Sequence, residues 1–126
     1  MKEQILEEIK RMCGEALMLD NGWCHFVYRN IHYVYIPNDN NELIRITIPH
    51  IVNGADYKRE TIEKVINETN REVKYVKAML LSNGSISLDY DHKLCNDEKT
   101  DEIVEHMIMT LYASADYLKR KVKKNR

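Results

Sequence analysis

The chain reads as an α+β fold, a twisted antiparallel sheet with helices packed against it. Two observations point there. The apolar spacing starts at three to four residues, drops to two, returns to the helical interval and does so again, and the connections between the two-residue stretches are short and rich in Asn, Asp and Gly. The 126 residues include only four Gly and two Pro, so one domain spanning 1–126 is expected, with no room for a linker.

The first helix is expected over residues 2–19, where Ile5, Ile9, Met12, Ala16 and Leu19 recur on one face. Asn21-Gly22 then supplies residues able to end it in the left-handed conformation. "WCHFVY", "IHYVYI" and "ELIRITI" alternate and are rich in aromatic and β-branched residues, as three consecutive strands would be. Arg29-Asn30 is short enough for a hairpin turn, and "PNDNN" at 37–41 is a turn. Pro49 lacks a ladder donor and is expected to close the third strand, with Asp56 as the N-cap of a second helix over 57–70. Strands over 73–81 and 85–91 flank Asn83-Gly84, a pair suited to the positive φ angles of a type I′ turn. The last helix, 100–121, is the longest, and presents Ile103, Val104, Met107, Ile108, Leu111, Tyr112, Ala115 and Leu118 on one broad face, with Thr100 as its cap. The expected order is α-β-β-β-α-β-β-α.

Charge is uneven. Six basic residues fall in the tail 119–126, so residues 1–118 carry −7 against a net −1 for the whole. The tail suits the negative end of a helix dipole, and an acidic body opposes extended nucleic-acid binding. No apolar run is long enough to cross a membrane, and Cys13, Cys24 and Cys95 lack paired spacing. A cytoplasmic protein with reduced thiols is expected.

Motifs for chemistry are scarce. The glycines are scattered, no Gly-x-Ser-x-Gly occurs, and Cys24 and His25, as strand neighbours, face opposite ways. Among the histidines, His25 and His32 are placed to approach across the first hairpin, but one pair supplies fewer ligands than metal sites normally use. Asp89 and Asp91 alternate onto a solvated face, where they would keep a sheet edge soluble. No catalytic residue, metal or cofactor is therefore expected.

"VINETNREVKYVKAMLLSNGSISLDYD" and "TDEIVEHMIMTLYASADYL" resemble segments of the YbjN-like bacterial sensory transduction regulators, which share the fold of type III secretion chaperones. The resemblance covers nearly the whole chain. It implies a helix-backed antiparallel sheet, frequent dimerisation and, in the chaperone relatives, binding of unfolded polypeptide. Asn67 and Asn70 match the family's recurrent asparagines; as residues they read either as ligand-binding amides or as structural caps, with Asn67 bridging to the next strand and Asn70 ending the helix.

The functional expectation is a non-catalytic, homodimeric protein-binding module, chaperone-like or regulatory, that recognises a protein or peptide partner through Trp23, Tyr33 and Tyr35 of the aromatic hairpin. The rival expectation is a small-ligand sensor or enzyme with a pocket between sheet and helices, involving Asn67, Asn70 or His25.

Overall fold

The computed structural model describes residues 1–39 and 42–125; Asn40 and Asn41 of the expected turn and Arg126 of the basic tail lie outside them. Helix α1 spans Lys2–Cys13, and the strands β1 (Leu17–Met18), β2 (Cys24–Tyr28), β3 (Ile31–Tyr35) and β4 (Leu43–Val52) follow. A single 3₁₀ turn at Gly54–Asp56 leads to α2 (Arg59–Glu72), β5 (Lys77–Leu80), β6 (Ile86–Lys93) and α3 (Thr100–Lys124). The strands form one six-stranded sheet in the order β1-β2-β3-β4-β6-β5, antiparallel throughout.

The fold class is the expected one, with local corrections. Helix α1 ends at Cys13, because Gly14 takes φ 85° and returns its N–H to the Lys10 carbonyl at 2.8 Å. Leu17 and Met18 are then free to pair with His25 and Cys24 as an extra strand, so Asn21-Gly22 lies in a hairpin connection and not at a helix end. Pro49 does not end β4. Its strand continues to Val52 through an irregularity in which Ile48 faces Leu88 and Val52 faces Ile86, the kind of break where a missing ladder donor is tolerated.

The two hairpin turns exchange roles. Arg29 and Asn30 both have positive φ, 49° and 67°, as a type I′ turn requires. Between β5 and β6 the loop is three residues, closed by Leu81 N–H on the Ser85 carbonyl, with Gly84 alone in the left-handed region.

Helix starts also shift. Asn53, not Asp56, caps the 3₁₀ turn by accepting from Ala55 N–H at 3.0 Å, and α2 begins at Arg59 without a side-chain cap. Lys99, not Thr100, flanks the start of α3, where Asp101 and Glu102 occupy the dipole-favoured first turn. Strand β5 is shorter than expected because Tyr75, at φ 73°, turns the chain before Lys77.

All three helices cover one face of the sheet. Ile44, Ile46, Ile48 and Leu88 meet Val104, Met107, Ile108 and Leu111 of α3, with Ile5 and Ile9 of α1 and Ile62 and Val65 of α2, in a single core whose members are nearly inaccessible. Burial of these side chains, each worth about 1.5–3 kcal/mol, is the main stabilising term. Glu8 is buried with them, held by Arg11, which also reaches Glu105 at 3.2 Å and ties α1 to α3.

Gly54 presses against the β5–β6 hairpin so closely that a Cβ on it would lie 1.8 Å from the Gly84 carbonyl oxygen. The two loops are therefore in backbone contact.

Candidate functional site: the helix-free face of the sheet

Strand alternation places every second residue on the face away from the helices. One cross-strand row there runs Leu17, His25, Val34, Thr47, Asp89 and Lys77 through all six strands. A neighbouring row holds Arg45 opposite Asp91, and another holds Ser87 opposite Met79. Antiparallel sheets commonly leave one face to water, and that face is then expected to be polar.

This one is not. Of the eight large hydrophobic residues exposed among the described residues, Leu17, Leu19, Trp23, Val27 and Met79 fall on this face by alternation, and Tyr75 lines the same groove. The groove holds about 640 Å³, with Trp23 and Ile36 at one end and Tyr75, Met79 and Leu81 at the other. From β2 to β5 is four strand spacings, roughly 19 Å at about 4.8 Å each. That is the reach of about six extended residues at ~3.3 Å apiece.

The floor between the aromatic ends is charged and internally matched. Arg45 Nε and Nη2 donate to the two Asp91 oxygens at 3.0 and 3.1 Å, and this contact holds the guanidinium pKa above its ordinary value. Thr47 Oγ1 donates to Asp89 Oδ1. Arg45 and Asp91 are both about half exposed, so their pairing orients more than it stabilises. Because β6 is an interior strand between β4 and β5, Asp89 and Asp91 do not guard a sheet edge; they line the groove.

The three expected anchor residues do not come together. Trp23 is 40% exposed on the groove, whereas Tyr33 and Tyr35 are 0% and 3% exposed in the core beneath the helices. The cause is register: Phe26 pairs with Tyr33 and Cys24 with Tyr35, so both tyrosines share the face of the buried residues of β2, opposite Trp23. Burial pushes both phenols' pKa values up.

Asn67 and Asn70 also part company. Asn67 is exposed on α2, while Asn70 Oδ1 accepts from Ala78 N–H at 2.7 Å and its Nδ2 donates to the Ala78 carbonyl at 3.0 Å. It is thus Asn70, two residues before the helix ends, that bridges to the next strand. Its amide imitates a neighbouring strand and saturates the outward backbone pair of β5.

Other chemistry-bearing groups are dispersed. Burial raises the Cys13 thiol pKa to about 11 and that of Cys24 in the same direction, which disfavours the reactive thiolate. His92 and the Cys95 backbone N–H converge on Glu98 at 3.0 and 2.7 Å, and this depresses the Glu98 pKa, the Cys95 contact contributing most. His25 and His32 meet across the first hairpin at 2.8 Å. Among the described residues, no three metal-ligating side chains gather in one place.

Arg45, Tyr75 and Met79 of the groove, and Leu17 on the same face, are not singled out by the sequence: Leu17 fits the helical spacing of α1 and Tyr75 fits a strand, so neither announces its position.

Comparisons identify the fold without naming a family. No family model matches the chain, and no curated protein matches it. An uncharacterized protein from Methanothermobacter thermautotrophicus, known from its crystal structure, superposes with a TM-score of 0.67 over 98% of this chain and 96% of its own, at 12% identity. The α+β architecture is shared; at that identity nothing more carries across.

No described helix is long and apolar enough to cross a membrane.

Proposed function

We propose that the protein is a non-catalytic polypeptide-binding module whose binding surface is the helix-free face of its sheet. The observation that supports this is the concentration there of five of the eight exposed large hydrophobics, with Trp23 at one end of a groove about six extended residues long and Tyr75, which stacks on Tyr90 and against His106 of α3, at the rim of the other. A segment with apolar residues towards its ends and polar or charged residues at its centre fits the Trp23 and Tyr75 ends and the Arg45–Asp91 floor. The likeness of the sequence to YbjN-like proteins and secretion chaperones, and a cytoplasmic setting, belong to the same reading.

A homodimer is part of the proposal. Leu19 N–H bonds the Trp23 carbonyl, so the backbone groups of Leu19 and Leu17 turn towards β2, and those of Met18 turn outwards on an edge with no strand beside it among the described residues. Sedimentation over a concentration series measures it directly; a monomer at all concentrations removes it.

Trp23 is the single tryptophan and reports on its own site. Selection of peptides from a random library should enrich segments that shift Trp23 emission, and Tyr75→Ala and Met79→Asp should each weaken their binding at least tenfold while circular dichroism is unchanged. Selected peptides that bind both variants as well as the wild type, or stabilisation by small metabolites in place of peptides, would overturn the assignment in favour of another surface or a small-ligand sensor.

A further inference from the structure

We propose that a cleft at the end of the sheet, between β3, β4 and the last turns of α3, binds a small phosphate monoester through His32, His50 and Lys119. The cleft holds about 330 Å³, at the small end of the usual range for ligand sites, and shares only Pro49 with the polypeptide groove. Its occupation does not depend on the groove's.

Pro49 opens it. Ile36 N–H bonds the Arg45 carbonyl at 2.9 Å, so the hydrogen-bonded pairs of the β3–β4 ladder fall at every second residue, Val34 with Thr47 and next His32 with Pro49. Proline has no N–H to give the His32 carbonyl, and the pairing stops at Val34 and Thr47 although both strands run on. Ile31 and Ile48, both buried, floor the space left between the strands, and the exposed Asn30, His32, His50 and Lys119 rim it.

The rim is positive and its donors are unspent. No carboxylate lines the cleft, and the side chains of Asn30, His50 and Lys119 make no hydrogen bond or ion pair among the described residues. Lys123, exposed one turn further along the same side of α3, adds to the local positive potential of an otherwise acidic chain.

His32 is already aimed. Its Nδ1 lies 2.8 Å from Nε2 of His25 on β2, with the two rings end to end. The nitrogens of an imidazole point to nearly opposite sides, so His32 Nε2 faces away from β2, on the side of β4 and the cleft. When His25 donates the shared hydrogen, His32 carries its own proton on Nε2 and offers a donor to the cleft; in the reverse arrangement Nε2 offers a lone pair. An anion selects the first arrangement, which makes His25 a positioning residue for His32.

Donors from three elements suit the three terminal oxygens of a phosphate monoester, and the isoleucine floor accepts the apolar part of its ester group. A carboxylate has two oxygens in one plane and leaves one donor unmatched.

Phenyl phosphate is titrated into the full chain at constant ionic strength, followed by calorimetry and by the imidazole resonances in nuclear magnetic resonance spectra. The expected result is one molecule per chain, shifts at His32 and His50, and affinity at least about tenfold lower in Lys119→Gln and in His50→Gln, with circular dichroism unchanged. His25→Ala should weaken binding about threefold and release the His32 proton from Nε2, and His25→Gln, whose amide donates in place of the imidazole, should restore both. Benzoate bound as tightly as phenyl phosphate, loss of binding in Lys124→Gln instead of Lys119→Gln, or no saturable binding to the wild type overturns the assignment.

Discussion

The two faces of the sheet are made by the same strands, residue by residue in alternation, and they carry opposite burdens. On β4, Ile44, Ile46 and Ile48 are sealed beneath α3, while Arg45 and Thr47 between them face the groove. On β6, Leu88 and Tyr90 are buried while Asp89 and Asp91 look the other way. The covered face holds the fold together, and the bare face combines exposed aromatic and aliphatic side chains with ion pairs that satisfy one another. Stability and the proposed recognition are thereby assigned to different residues of the same strands, so either can change with little effect on the other.

The largest expected effect tests that division directly. Ile46→Ala or Leu88→Ala should cost about 2–5 kcal/mol in urea unfolding, the range for truncating a fully buried aliphatic side chain. Trp23→Ala or Met79→Ala should cost about 0.5 kcal/mol, as at exposed positions generally. Equal losses on the two faces would break the comparison.

The next concerns the edge that joins them. Asn70→Ala frees the outward N–H and C=O of Ala78 and should cost about 1 kcal/mol, a typical net value for such hydrogen bonds. The same variant should associate with rising concentration in light scattering, because an unpaired edge invites another strand. Removal of Arg45 or Asp91 should matter less still for stability, at most about 1 kcal/mol and less at high salt.

The smallest effect is on the acid limb. The Glu98 carboxyl has a depressed pKa in the folded chain, from the Cys95 N–H first and His92 second. A depressed folded pKa contributes stability above the unfolded carboxyl value, about 4.3, and that contribution is lost as pH falls through the folded value. Glu98→Gln should therefore flatten the stability profile below about pH 5 and leave its alkaline side unchanged.

Much of the fold was legible because period alone separates the long elements: six of the eight residues on the expected α3 stripe are buried, and the other two, Ile103 and Tyr112, are partly buried against the same core. The errors have local causes. Ala16 and Leu19 continue the helical spacing of α1 by coincidence, and only the backbone at Gly14 shows that the helix has stopped. Pro49 signals the end of a strand equally well whether the strand ends or bends. The site was half legible. A two-residue turn at Arg29-Asn30 already implies that Trp23 and Tyr33 face opposite sides, so they could not have belonged to one surface. Which side the helices would cover, and that Tyr75 would leave its strand to join the groove, depend on tertiary packing that local pattern does not encode.

The contact between Gly54 and the Gly84 carbonyl has a historical consequence. Any side chain at position 54 must push apart two loops that are far separated in sequence, and no single change elsewhere makes room for it. A lineage of such proteins could therefore exchange almost every residue of the bare face, acquiring new partners as it diverged, while position 54 stayed fixed. Among distant descendants it would be a glycine in a turn, not an aromatic in the groove, that marks common ancestry.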